Sequence, residues 1–241
     1  MKKLIRLEFR KNKKCIFLYL AGAAAVLYQG IGLFWEHFSE LGGGGAFRII
    51  GRNLFTTYLL FGAILSYVIV KDFEVGIIKE YFFVGYTREE IYWVKYIYLL
   101  CAGSIIINLT VAGMVLCKSI VNGYGEGFSG EEIVFWGKVL LGNMSACFLF
   151  FAVALLCAVA VGNVLALVLY FMGISFWDMI ALFFVGRYHA PEWISVRNLV
   201  SRVYDREMMW SEFAGMITVQ FGTGVLVLLL GQGIFRRKEY R

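Results

Sequence analysis

Two histidines, five cysteines and one acidic residue inside an apolar run are the side chains here best suited to chemistry, and their spacing limits what they can do. His37 and His189 lie near the outer ends of apolar stretches, and neither belongs to a metal-ligand pattern. An intramembrane Ser–His hydrolase needs an imidazole within a span, which neither supplies. Cys15, Cys101, Cys117, Cys147 and Cys157 have no C-x-x-C spacing and read as small packing residues. Gly125, Gly127 and Gly130 match G-x-G-x-x-G, but no strand precedes them, so the segment reads as a turn-rich loop. No G-x-x-x-x-G-K-[ST] occurs, so this chain is not itself a P-loop ATPase. The residues therefore predict no catalytic group, no metal site and no cofactor in this chain. Asp178 is ionisable within a span and is a functional candidate on that ground. It sits beside Trp177 toward the outer half of its span, where a hydrogen bond to a neighbouring helix is an equally good use. Gln29, Asn143 and Asp178 are the candidates for lining a substrate path.

The elements that position these residues are membrane helices. At 60% hydrophobic and 17% charged residues, with mean hydropathy +0.73, the 241-residue chain exceeds the apolar content of soluble domains. Those run at roughly 45–50% apolar and about 25% charged. Stretches 15–35, 96–117, 139–161, 164–185 and 213–235 each suffice to cross the hydrocarbon core as a helix. Stretch 53–70 is shorter but crosses with little tilt. Helices are required because lipid offers no partner to an open backbone. The expected fold is an all-α integral membrane protein of six transmembrane helices, one permease-sized domain over 1–241. The net charge of +6 gathers at the edges of the apolar runs, which argues against nucleic acid as a partner.

Lysine and arginine set the orientation. Fifteen of the 23 fall in segments 2–14, 71–95 and 236–241, which places both termini in the cytoplasm. A basic start followed by small residues at 21–25 resembles a signal peptide, but the apolar run continues to Trp35 and predicts an uncleaved span. Before it, Leu4, Ile5, Leu7 and Phe9 are interleaved with basic residues. This is either an interfacial helix facing anionic headgroups or a plain basic flank. Between the last two spans, Pro191 can open a helix, and Trp193, Val196, Leu199, Val200, Val203 and Tyr204 follow at spacings of three and four. That predicts an amphipathic outer helix lying on the membrane or tucked partly into it.

The segment 71–95, KDFEVGIIKEYFFVGYTREEIYWVK, carries the most information. Charges flank an amphipathic centre from Ile77 to Val84, and Gly76 and Gly85 bracket it. Thr87 and Glu90 have the S/T-x-x-E spacing of a capping box, so a helix should start near Thr87. The segment reads as a short helix, a glycine turn and a new helix start.

The ordered residues Asp72, Glu74, Gly76, Lys79, Gly85, Thr87, Arg88 and Lys95 resemble the loop after the second span in permease subunits of ABC-2 type exporters. The resemblance is particularly to small permeases of lantibiotic and bacitracin immunity. Glu8 and Phe9 before a lysine-rich run, and the aromatic–basic end Phe235 to Lys238, resemble the same family. Ile77 departs from it, standing where many members have a small polar residue. The resemblance implies that 72–95 is an ATPase-coupling loop and that Glu8 and Phe9 lie in an elbow helix. It implies two copies of a cytoplasmic ABC ATPase that hold ATP and Mg, and a second permease chain, identical or homologous. It further implies a bacterial cell membrane and outward movement of a hydrophobic or amphipathic cargo such as an antimicrobial peptide. Aromatic and Met-rich spans, surfaces that repack around apolar ligands, suit such cargo. Two other classes stay open: a substrate-binding component of a vitamin-uptake system, to which the Ala21/Ala25 spacing is similar, and an ion-driven carrier, which would want several buried charges.

Overall fold

A computed structural model describes residues 1–12, 23, 27, 43–125, 129–189 and 191–238. The expected first span, 15–35, lies outside the described residues except for Ala23 and Leu27, and Gln29 and Gly127 lie outside them too. Eight α-helices are described, with no strand among the described residues: α1 (Lys2–Asn12), α2 (Gly43–Glu74), α3 (Ile77–Phe83), α4 (Arg88–Asn122), α5 (Gly130–Val161), α6 (Leu165–Tyr188), α7 (Val196–Arg202) and α8 (Trp210–Arg237). A 3-10 turn, Glu192–Ile194, precedes α7.

Five helices are long and apolar enough to cross a bilayer: Asn53–Glu74 within α2, α4, α5, α6 and α8. They correspond to the second through sixth expected spans. The described fold is thus all-helical with five candidate spans, and the expectation of six depends on the segment left undescribed. The helices overrun the apolar stretches, because helical hydrogen bonding continues wherever polar ends can be hydrated or paired. Thus α4 begins eight residues before the apolar stretch at Tyr96.

α2, α4, α5 and α8 pack around one core, in which Tyr58, Phe61, Tyr92, Phe150, Phe151 and Tyr170 are buried. α6 packs on α2 and α5 and exposes much of its apolar surface, including Met172, Phe176 and Phe183. An apolar face that meets no protein in a membrane-spanning helix faces lipid or another chain.

The segment after α6 differs from the expected single amphipathic helix. Pro191 opens only the 3-10 turn, and Ser195 ends it and caps α7, its hydroxyl accepting the Asn198 N–H at 3.3 Å. Val196, Leu199, Val200, Val203 and Tyr204 are buried against the bundle rather than laid on its surface. Gly142 makes room for this segment: a Cβ there would come within 2.4 Å of Val203.

Candidate functional site

Four charged side chains from three elements converge at the end of the bundle that holds α1, α3 and the close of α8. Glu8 on α1, Asp72 near the end of α2 and Lys95 in the second turn of α4 are each 1–3% exposed. Lys95 Nζ donates to Glu8 Oε1 at 2.6 Å and also to Asp72 Oδ2. Lys11 Nζ lies 2.5 Å from Asp72 Oδ2 and 3.1 Å from Glu8 Oε1. The Tyr81 hydroxyl of α3 donates to Glu8 Oε2 at 2.9 Å, and the Asn12 amide donates to Oε1 at 3.1 Å. Two carboxylates and two ammonium groups make the cluster neutral. Neutrality is what allows such burial, since removal of one partner would strand a desolvated charge.

The local sequence explains each placement. Leu4, Glu8 and Asn12 recur every four residues and form the buried face of α1. Ile78 and Tyr81, three apart, form the buried face of α3. Full burial of Leu4 and of Ile78 contributes roughly 1.5–3 kcal/mol each to seating these short helices. The backbone of α3 is bracketed by left-handed glycines, Gly76 at φ 80° and Gly85 at φ 93°. A Cβ at either would meet nothing within 4 Å, so their need is conformational. Thr87 then caps α4 in a full capping box: its hydroxyl accepts the Glu90 N–H at 3.2 Å, and its own N–H donates to the Glu90 carboxylate at 3.1 Å.

This anchoring leaves the outer side of α3 open. Phe83 is 90% exposed, Val84 72% and Val75 71%, with Glu74, Lys79 and Glu80 exposed around them. The end of α8 is tied into the same region. Arg88 Nη1 donates to the carbonyls of Arg236 and Lys238 at 2.5 and 2.8 Å. Lys238 Nζ donates to the carbonyls of Val159 and Ala160 at the close of α5, at 2.8 and 3.2 Å. Phe9 of α1 meets Tyr98 of α4 edge-on at 5.2 Å.

Burial alone would raise the Glu8 pKa, but the ammonium groups of Lys95 and Lys11 outweigh it and hold the carboxyl below a glutamate's ordinary 4.5. Burial lowers the Lys11 pKa, and Glu8 with Asp72 outweighs that to raise it above 10.5. A lowered carboxyl stabilises the fold above its unfolded value, and that contribution fades as pH falls through the lowered value. A raised lysine stabilises below its unfolded value, and that contribution fades as pH rises through the raised one. Docking of α1 should therefore weaken as pH falls below 4.5 and Glu8 takes up a proton. Thermal unfolding in detergent measures this; Glu8→Gln should lose the acid limb, and an identical acid limb in that variant would count against the account.

The candidates for a substrate path are placed elsewhere. Asn143 is 1% exposed; its Oδ1 accepts the hydroxyls of Tyr58 and Tyr204 at 3.1 and 2.9 Å, and its Nδ2 donates to Asn108 Oδ1 at 3.1 Å. Asp178 holds the outer segment: Oδ1 accepts the Ser195 hydroxyl at 2.6 Å and the Arg197 N–H at 3.1 Å, and Oδ2 pairs with Arg197 Nε at 3.5 Å. Both side chains thus tie helices together. Asp178→Ala should cost about 1.5–3 kcal/mol, the scale of hydrogen bonds to a charged group. Limited proteolysis should then cut first between Pro191 and Arg206.

Lys11 and Tyr81 are the site residues that sequence reasoning missed. Lys11 carries a detectable signal, standing three residues after Glu8, a spacing that pairs charges on one helix face. Tyr81 has none beyond its place on the apolar side of α3. Among the described residues no three of His, Cys, Asp or Glu are grouped to hold a metal ion.

The family model described as ABC-2 family transporter protein matches residues 4–176. This chain belongs to the ABC-2 transporter family. Comparison with curated proteins and with solved structures gives no match. The family match runs from α1 to the middle of α6, and so takes in Glu8, Lys11, Asp72, Tyr81 and Lys95. The ABC-2 protein is thus a multi-pass membrane transport component, of a kind generally without its own ATPase. Membership implies association with an ABC ATPase subunit and usually with a second permease.

Proposed function

We propose that this ABC-2 permease is the transmembrane subunit of an ATP-driven exporter, with α3 as its coupling helix and α1 as its elbow helix. The observation that carries this is the two-sided build of α3. Its inner side is locked to α1, α2 and α4 through Tyr81 and the buried charge cluster, while its outer side presents Phe83, Val84 and Val75 to solvent. An apolar patch rimmed by charge is the surface a protein partner fits. A partner pushing on that patch moves a rigid unit, because the cluster joins α3 to the ends of two spans. Glu74 and Lys79 offer rim charges that select the partner, and Gly76 and Gly85 set the angle at which the helix is presented.

In this reading both termini and α3 lie in the cytoplasm of a bacterial cell, and two ATPase copies, which hold ATP and Mg, serve two permease chains. The cargo is hydrophobic or amphipathic, with an antimicrobial peptide as the leading class, and moves outward. The test is ATP-dependent uptake of a fluorescent cationic amphipathic peptide by inside-out vesicles containing the permease and its ATPase. Uptake that needs ATP on the outer face of these vesicles is the expected result. ATP-driven accumulation of a small polar solute instead, with no effect of any membrane-active peptide on ATPase rate, would sink it.

A further inference from the structure

The side of α1 turned away from the charge cluster carries a second surface. Lys2, Lys3, Arg6, Leu7, Arg10 and Lys11 line a cleft of about 530 Å³. Lys2, Arg6 and Arg10 recur every four residues and so form one exposed stripe. Glu8, the single acidic residue of α1, is turned inward and is fully used there. Among the described residues no carboxylate pairs with Lys2, Lys3, Arg6 or Arg10. Like charges at that spacing repel, so the stripe is relieved when an anion binds along it. Leu7 and Phe9 are exposed beside these cations, 45% and 38% respectively, a pairing suited to the boundary between headgroups and acyl chains.

We propose that this cleft binds the phosphate headgroup of an anionic phospholipid in the leaflet that α1 borders. Charge complementarity requires an anion. The exposed Leu7 and Phe9, and the apolar stretch 15–35 that follows α1, favour a lipid over a soluble acidic protein. Lys11 joins the two surfaces: it lines the cleft while its Nζ contacts Asp72 and Glu8. A bound phosphate competes for that ammonium, so lipid composition adjusts how firmly α1 is held to the ends of α2 and α4. The site requires only that the chain span a bilayer, so its failure would leave the exporter reading untouched.

Native mass spectrometry of the purified full-length chain, titrated with dioleoyl phosphatidylglycerol against dioleoyl phosphatidylcholine, tests the site. Phosphatidylglycerol should be retained in preference. Arg6→Gln/Arg10→Gln should weaken its binding about 30-fold, at about fivefold per cation removed, and leave phosphatidylcholine unaffected. Arg237→Gln, an exposed cation at the end of α8, should change nothing. If the arginine pair fails to fold, Lys2→Gln/Lys3→Gln replaces it with the same expectation. Equal loss in Arg237→Gln would mean diffuse charge. Displacement by inorganic phosphate at equal concentration would mean a free-anion site. Tighter binding of polyglutamate than of the lipid would mean an acidic protein partner. Each of these, like an absence of lipid preference, overturns the proposal.

Discussion

Lys95→Met should destabilise the permease by about 3–5 kcal/mol, the usual cost of stranding a buried carboxylate. Lys95 Nζ contacts both Glu8 and Asp72, and all three side chains are almost wholly buried. With the ammonium gone, two carboxylates face one partly exposed Lys11. Methionine keeps the length and apolar stem, so the loss reports charge rather than packing. The loss should appear in thermal or denaturant unfolding in detergent and as earlier tryptic release of α1. Adding Glu8→Gln to Lys95→Met should recover part of it, because the pair interacts directly and the two effects cannot add. A loss under about 1 kcal/mol, within the range of surface ion pairs, would show that water reaches the cluster.

The second large effect concerns the outer side of α3. Phe83→Ala should weaken binding of the ABC ATPase about 30-fold, as expected for truncating an aromatic anchor worth about 2 kcal/mol. Glu74→Lys, which reverses a rim charge, should disconnect ATP hydrolysis from transport. Both residues are exposed, so the unfolding free energy should stay within about 0.5 kcal/mol of wild type. That separates this result from Lys95→Met, where fold and coupling should fail together. Unchanged transport and unchanged substrate-stimulated hydrolysis in both variants would remove α3 from the coupling path.

What the amino-acid sequence alone reveals follows from interactions that are local along it. Apolar runs of bilayer length specify helices because lipid leaves the backbone no other partner, and five described helices lie on five of those runs. The capping box at Thr87 and Glu90 is legible because its partners stand three residues apart. The short helix between Gly76 and Gly85 is legible because left-handed glycines punctuate it. Pro191 misled in part, since a proline marks where a helix can start but not how far it runs. The structure stops that first turn at Ser195, whose hydroxyl is engaged by Asp178 and by its own cap.

Only the tertiary structure decides what is joined across distance. Glu8 and Lys95 stand 87 positions apart, and nothing along the chain says that α1 lies against α4. The resemblance marked Glu8, Asp72 and Lys95 one by one, and packing made them a single neutral cluster with Lys11 and Tyr81. The same holds for Asp178, which composition offers as a buried charge open to substrate and packing commits to Ser195 and Arg197. Periodicity says which face of a helix is apolar, but whether that face meets lipid or protein depends on which helix lies next to it. That is why α7 reads as an interfacial helix and folds as part of the bundle.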